Sequence, residues 1–125
     1  MQIQIKRAYA EVLASDGKRI LVDRLWPRGL KKADAKIDLW PKEITPSTEL
    51  RKWYAHDPEH WEEFQQCYRA ELRSQAELLQ QIRQMAEHEK ISLITAAKSE
   101  NYNHVIVLKE VLEEILNHLL TTFIP

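Results

Sequence analysis

Arg19-Ile20-Leu21-Val22-Asp23-Arg24-Leu25-Trp26-Pro27-Arg28-Gly29 joins the plainest strand of the chain to its densest chemistry. Ile20-Leu21-Val22 lacks the polar alternation of a strand with one wet face. The strand, Arg19 to Arg24, therefore reads as buried on both faces, the habit of parallel sheets. An acid, two guanidinium groups and an indole arrive together at its end, where Pro27 and Gly29 force a turn. Arg24 and Arg28 suit phosphate or carboxylate, because a guanidinium can grip either with two parallel hydrogen bonds.

Upstream, Ile3 and Ile5 alternate with Gln2, Gln4 and Lys6, as in a half-buried or edge strand, and Ser15-Asp16-Gly17 marks a turn. Downstream, a basic loop runs to Lys36, and Ile37-Asp38-Leu39-Trp40 reads as a short strand halted by Pro41. Thr45-Pro46 offers a helix cap followed by proline at the first helical position, with Leu50 and Trp53 on the apolar face. Asp57-Pro58-Glu59 repeats the device, its acids matching the positive end of the helix dipole. Trp61, Phe64, Tyr68 and Leu72 then fall at helical spacing, and Leu78, Leu79, Ile82, Met85 and Ala86 continue it, with one kinked helix or a break near Ser74 both open. Ile91-Ser92-Leu93-Ile94-Thr95-Ala96 is a strand. The polar loop from Lys98 to Asn103 leads into a last helix whose core face is Leu108, Val111, Leu112, Ile115, Leu116 and Leu119.

Strands separated by helices imply an α/β fold: a single compact domain over 1–125, with a small, mostly parallel sheet flanked by helices. At 125 residues the chain can bury about two thirds of its unfolded surface, enough for one core. A net charge of −1 argues against general affinity for nucleic acid or anionic lipid. Residues 16–36 nevertheless hold seven Lys or Arg against three Asp, and residues 59–89 hold seven Glu against three Arg. The single Cys67 excludes an intrachain disulfide and reads as a buried thiol beside the apolar face. Met1 to Lys6 is too polar for a signal peptide and no apolar run approaches a membrane span, so a cytoplasmic protein is expected.

The residues Leu21 to Gly29, Pro46 to Tyr54, His56-Asp57-Pro58 with Trp61 and Phe64, Ala96-Ala97-Lys98 and Asn103-His104 carry a family resemblance. Together they span about residues 18–112, and the chain resembles the YeaO-like bacterial proteins, a branch of a large family of unknown function. The resemblance implies a compact α/β fold and a cytoplasmic bacterial protein. Some relatives carry a transcription-regulator label, and no winged-helix pattern accompanies it here. Other branches of the wider family carry a Cys-His-Arg cluster where this chain has Asn103-His104-Val105. They often have Cys where it has Thr95-Ala96, so thiol chemistry is not expected.

In open α/β sheets, ligands sit beyond the carboxyl ends of the strands. If their strands are parallel neighbours, the Asp23–Gly29 loop and the Lys98–His104 loop converge there. The expected catalytic candidates are Asp23 and His104, as acid–base groups for hydrolytic or transfer chemistry. The expected ligand-binding residues are Arg24, Trp26, Arg28, Gly29, Lys98 and Asn103, around a small anion such as a phosphorylated metabolite or nucleotide-like molecule. Plainer roles stand beside each: Asp23 as a salt bridge holding the turn, Trp26 as core, Asn103 as a helix cap, Lys98 as a solvated loop residue. His56 and His60 have a metal-site spacing that Asp57-Pro58 interrupts, so no metal is expected. With Gly17 and Gly29 its only glycines, the chain has no glycine-rich phosphate loop, and no cofactor is expected. Two other classes remain: a nucleic-acid module using the basic lobe, disfavoured by the acidic helices, and a partner-binding protein marked by exposed tryptophans.

Overall fold

The computed structural model describes the backbone of residues 1–123 and the side chains of residues 1–114. Three parallel strands, β1 (Ile3–Arg7), β2 (Lys18–Leu21) and β3 (Ile91–Thr95), form one sheet in the order β1-β3-β2. Ile20 and Ile5 both lie beside Leu93 in the register, which fixes β3 at the centre. Helices follow in chain order: the single turn α1 (Lys32–Ala35), α2 (Thr48–Tyr54), α3 (Trp61–Arg73), α4 (Ala76–His88) and α5 (His104–Phe123).

The unbroken apolar run now has its physical reason. Ile20 and Val22 point into the main core, which α2 to α5 build with Phe64, Tyr68, Leu79, Ile82, Val105 and Leu108. Leu21 points the other way, into a second core with Ala8 and Ile94, over which Trp26, Leu30, Ile37 and Trp40 pack. All three residues of the run are fully buried. The second cover is mostly irregular chain from residues 23 to 40 rather than helix, so the motif loop is itself a structural layer.

Several local expectations are corrected. Ile37 to Trp40 forms no strand. Leu39 makes a single bridge to Ile20, and the carboxylate of Asp38 takes the backbone N–H of Arg19 at 2.8 Å. The cap of α2 is Ser47, whose hydroxyl accepts from Leu50 N, while Thr45 turns its hydroxyl back to Lys42 O. Tyr54 is buried beside Leu50 and Trp53 is exposed, so the apolar face is rotated from the expected one. Cys67 is exposed, because Tyr68 rather than Cys67 takes the inward position after Phe64. The break near Ser74 is real: α3 ends at Arg73 and α4 begins at Ala76. Asp57 caps as expected, accepting from Glu59 N. Leu108 and Leu112 are buried in α5, and Ile115, Leu116 and Leu119 lie outside the described side chains. Among the described residues, no helix is long and apolar enough to cross a membrane.

Candidate functional site

β2 and β3 run parallel and adjacent, so the loops leaving their carboxyl ends start side by side. Between them opens a cleft of about 760 Å³. Asp23, Arg24, Trp26, Arg28, Lys98, Asn103 and His104 all line it. Gly29 does not; its positive φ of 79° shapes the turn, and a Cβ there would meet nothing within 4 Å.

Asp23 is the knot that ties the two loops. Its Oδ1 accepts from the Thr95 hydroxyl at 2.6 Å and its Oδ2 from Ala96 N at 2.7 Å. Thr95 Oγ1 accepts in turn from Ala97 N, so the end of β3 is threaded onto the Asp23 carboxylate. His104 Nε2 lies 2.7 Å from Val22 O and 3.2 Å from Asp23 Oδ1. A carbonyl oxygen can only accept, so Nε2 carries a proton that leans to Val22 O with Asp23 as second acceptor. Burial alone would push the Asp23 carboxyl up. Donation and charge from His104, with the Ala96 amide and the Thr95 hydroxyl, outweigh that and hold it below the ordinary carboxylate range. Such a carboxylate is a poor proton acceptor for a ligand. The salt bridge from Asp23 to Arg24 or Arg28 does not form; the side chain of basic type within reach of its carboxylate is the His104 imidazole.

Asp23→Ala removes the acceptor of three donors at once. The Ala96 amide and the Thr95 hydroxyl lose their partner in a half-buried place, and each such loss costs about 1–3 kcal/mol. We expect a destabilisation of about 2–3 kcal/mol by urea unfolding, and Asp23→Asn, which keeps one acceptor oxygen, should lose less. Equal losses for both would refute the donor-saturation account.

The cations differ in their freedom. Arg24 donates through Nε to Pro46 O at 3.0 Å and through Nη2 to Thr45 O at 3.3 Å, pinning the loop before α2. Arg28 is exposed, and its carbonyl is held by the Tyr9 hydroxyl at 2.9 Å. Lys98 and Arg51 are exposed as well. No ion pair among the described residues engages Arg28, Arg51 or Lys98. Asn103 is the cap of α5: its Oδ1 accepts from Ile106 N and its Nδ2 donates to Ser99 O. Trp26 donates Nε1–H to Leu30 O at 2.6 Å and packs edge-on against Trp40, so most of it belongs to the second core.

Sequence reasoning missed Tyr9, Arg51, Tyr54, His56 and Tyr102 as parts of this cleft. Arg51 and Tyr54 are three apart on α2, so they share a helix face. The Tyr54 hydroxyl donates to Tyr102 O at 2.8 Å, and burial, then the nearby Asp57 charge, push its acidity below that of an ordinary phenol. It therefore stays a neutral donor and staples the Lys98–Asn103 loop to α2. His56 follows Ala55, both at positive φ, which swings its ring from the end of α2 into the cleft wall. His60 instead stacks on Trp53, 4.7 Å between centroids, so the two histidines do not converge. Of the four tryptophans only Trp53 is exposed.

Residues 2–120 match a family model described as the inactive DUF488-N3 subclade. The chain is 44% identical over 115 residues to the uncharacterized protein YeaO of Escherichia coli K12, covering 92% of this chain and all of that protein. It is 36% identical over 111 residues to the uncharacterized proteins Mb3100c of Mycobacterium bovis and Rv3073c of Mycobacterium tuberculosis, covering 89% of this chain and 93% of each. No solved structure matches the chain.

Proposed function

Because the chain belongs to the DUF488-N3i family, the inactive DUF488-N3 subclade, we propose that its cleft recognises a small anion and performs no chemistry on it. One observation carries this reading. Among the described residues lining the cleft, Asp23 is the one acid and is saturated by internal donors, while Arg24, Arg28, Arg51 and Lys98 line the same space, the last three without an ion pair. Four cationic residues against one hydrogen-bonded carboxylate give a net positive lining in a molecule of net charge −1, which steers anions to this place. Asp23 and His104 are then positioning residues that hold the two loops together, rather than the acid and base of a reaction. Thr95 and Asn103 serve that scaffold too, one relaying to Asp23 and the other capping α5. A cytoplasmic setting, where phosphorylated and carboxylated metabolites abound, belongs to the same proposal.

Titration calorimetry of the full chain with inorganic phosphate and pyrophosphate tests it. Pyrophosphate is expected to bind more tightly than phosphate, because more of the cations can be engaged at once. Arg28→Glu should reduce the affinity at least ~10-fold while leaving the melting temperature within a few degrees, since Arg28 is exposed and unpaired. Absence of binding to both anions at low salt would remove the reading.

A further inference from the structure

We infer that the ligand of this cleft carries a flat aromatic ring as well as its anionic group. The inference rests on the anion-cleft reading and deepens it. Two large rings line the cleft yet remain open to solvent: Tyr9, 53% exposed, and Tyr102, 41% exposed. Leu25, 63% exposed, adds an aliphatic side chain to the same lining. Exposed apolar groups gathered in a concave place beside fixed charges are the usual mark of a ligand's apolar body.

Neither ring is loose. Tyr9 is anchored through its hydroxyl to the backbone carbonyl of Arg28, which ties the ring to the loop that carries that cation. Tyr102 packs edge-on against Trp61 at 5.7 Å and 76°, and its backbone carbonyl is held by Tyr54. A ring already oriented loses little rotamer freedom on stacking, so each can add affinity that an isolated surface tyrosine would not. The charge is equally selective. Among the described residues no glutamate lines the cleft and Asp23 is saturated, so a cationic aromatic molecule meets no counter-charge and a neutral one leaves the cations unused. A ring joined to a phosphate or carboxylate fits both halves. Two kinds of molecule share that chemistry, a nucleoside monophosphate and an aromatic carboxylate.

Calorimetry with four probes, a purine nucleoside monophosphate, its parent nucleoside, indole carboxylate and inorganic phosphate, separates the possibilities. At least one ring-bearing anion is expected to bind ~10-fold or more tightly than phosphate, with the nucleoside alone weak, because stacking on one aromatic is worth about one to two decades in affinity. Whichever of the two ring-bearing anions binds better identifies the source. Tyr9→Leu and Tyr102→Leu keep apolar bulk but remove the ring. Each should weaken the ring-bearing anion ~5-fold or more and leave phosphate affinity unchanged. Phosphate binding as tightly as either ring-bearing anion, or both variants weakening phosphate equally, overturns the ring and leaves the anion cleft standing. Binding of the nucleoside but not of phosphate overturns the anion cleft itself.

Discussion

Asp16→Ala should cost about 3–5 kcal/mol, the range for removing one partner of a buried ion pair. Asp16 is buried where the β1–β2 connection crosses the sheet face, and it gathers Lys6 Nζ at 2.7 Å, Arg19 Nη1 at 2.6 Å and Leu13 N at 3.0 Å. Without it, the buried Arg19 guanidinium keeps only Ala35 O as a partner among the described residues. Against a total stability of about 5–15 kcal/mol, that loss removes a large share. Urea unfolding should show it, and a loss under ~1 kcal/mol would refute the buried pair. Replacing both residues, Asp16→Ala with Arg19→Met, should recover much of it, because no lone charge is then left inside.

The same carboxylate sets an acid limit. Burial pushes the Asp16 carboxyl up, but the Lys6 hydrogen bond, the Leu13 amide and Arg19 pull it from 3.8 down to about 2. Its folded pKa is depressed, so its stabilisation is complete above 3.8 and is lost as pH falls through about 2. At about 1.4 kcal/mol per pH unit, the contribution is about 2 kcal/mol. Stability of the Asp16→Asn variant should lack that part of the acid dependence. Asp16 lies by the amino-terminal ends of β2 and β3, whereas the cleft lies beyond their carboxyl ends, so the folded fraction of either variant should still bind anions.

The halves of the cleft were legible in the sequence for a simple reason. Ile20-Leu21-Val22 and Ile91 to Thr95 are apolar enough to be central strands, and a loop must leave each where its apolar run stops. That Asp23 joins them was not legible. The cations of its own motif are Arg24 and Arg28, yet its partners come from residues 95, 96 and 104. Tyr9 could not be placed either, because it reaches the site from the β1–β2 connection, a crossover of residues 8–17 with no α-helix. The misplaced α2 cap has a similar cause. Ser47 is fixed by Glu71 of α3, which takes both its N–H and its hydroxyl, and no local pattern reveals a carboxylate twenty-four residues away. Trp53 went astray because it sits one step from the true inward residue, Tyr54, whereas Cys67 is exposed because Tyr68, read on the apolar face from its spacing, already fills the inward position beside it.

Gly17→Ala should be as damaging as the loss of Asp16, through backbone rather than charge. The β1–β2 connection is short for a parallel crossover, which usually takes a dozen residues or more. Gly17 closes it with φ 67° and ψ −141°, outside the left-handed helical basin and open in practice to glycine alone. It also passes directly against β3. A Cβ on Gly17 would lie 2.0 Å from Lys90 O and 2.7 Å from Lys90 C, both backbone atoms with no rotamer to change. Relieving the clash must separate the starts of β2 and β3, where Lys18 N donates to Lys90 O at 3.0 Å. Backbone strain of about 1–3 kcal/mol, overpacking of about 1–3 and one lost hydrogen bond of about 1 give an expected cost of roughly 3–6 kcal/mol. Gly29→Ala is the matched control. It shares a positive φ of 79° but meets nothing within 4 Å, so only the conformational strain remains, about 1–2 kcal/mol. Denaturant midpoints for the two variants decide the matter. If Gly17→Ala is no less stable than Gly29→Ala, the close approach of the crossover to β3 is not what demands glycine there.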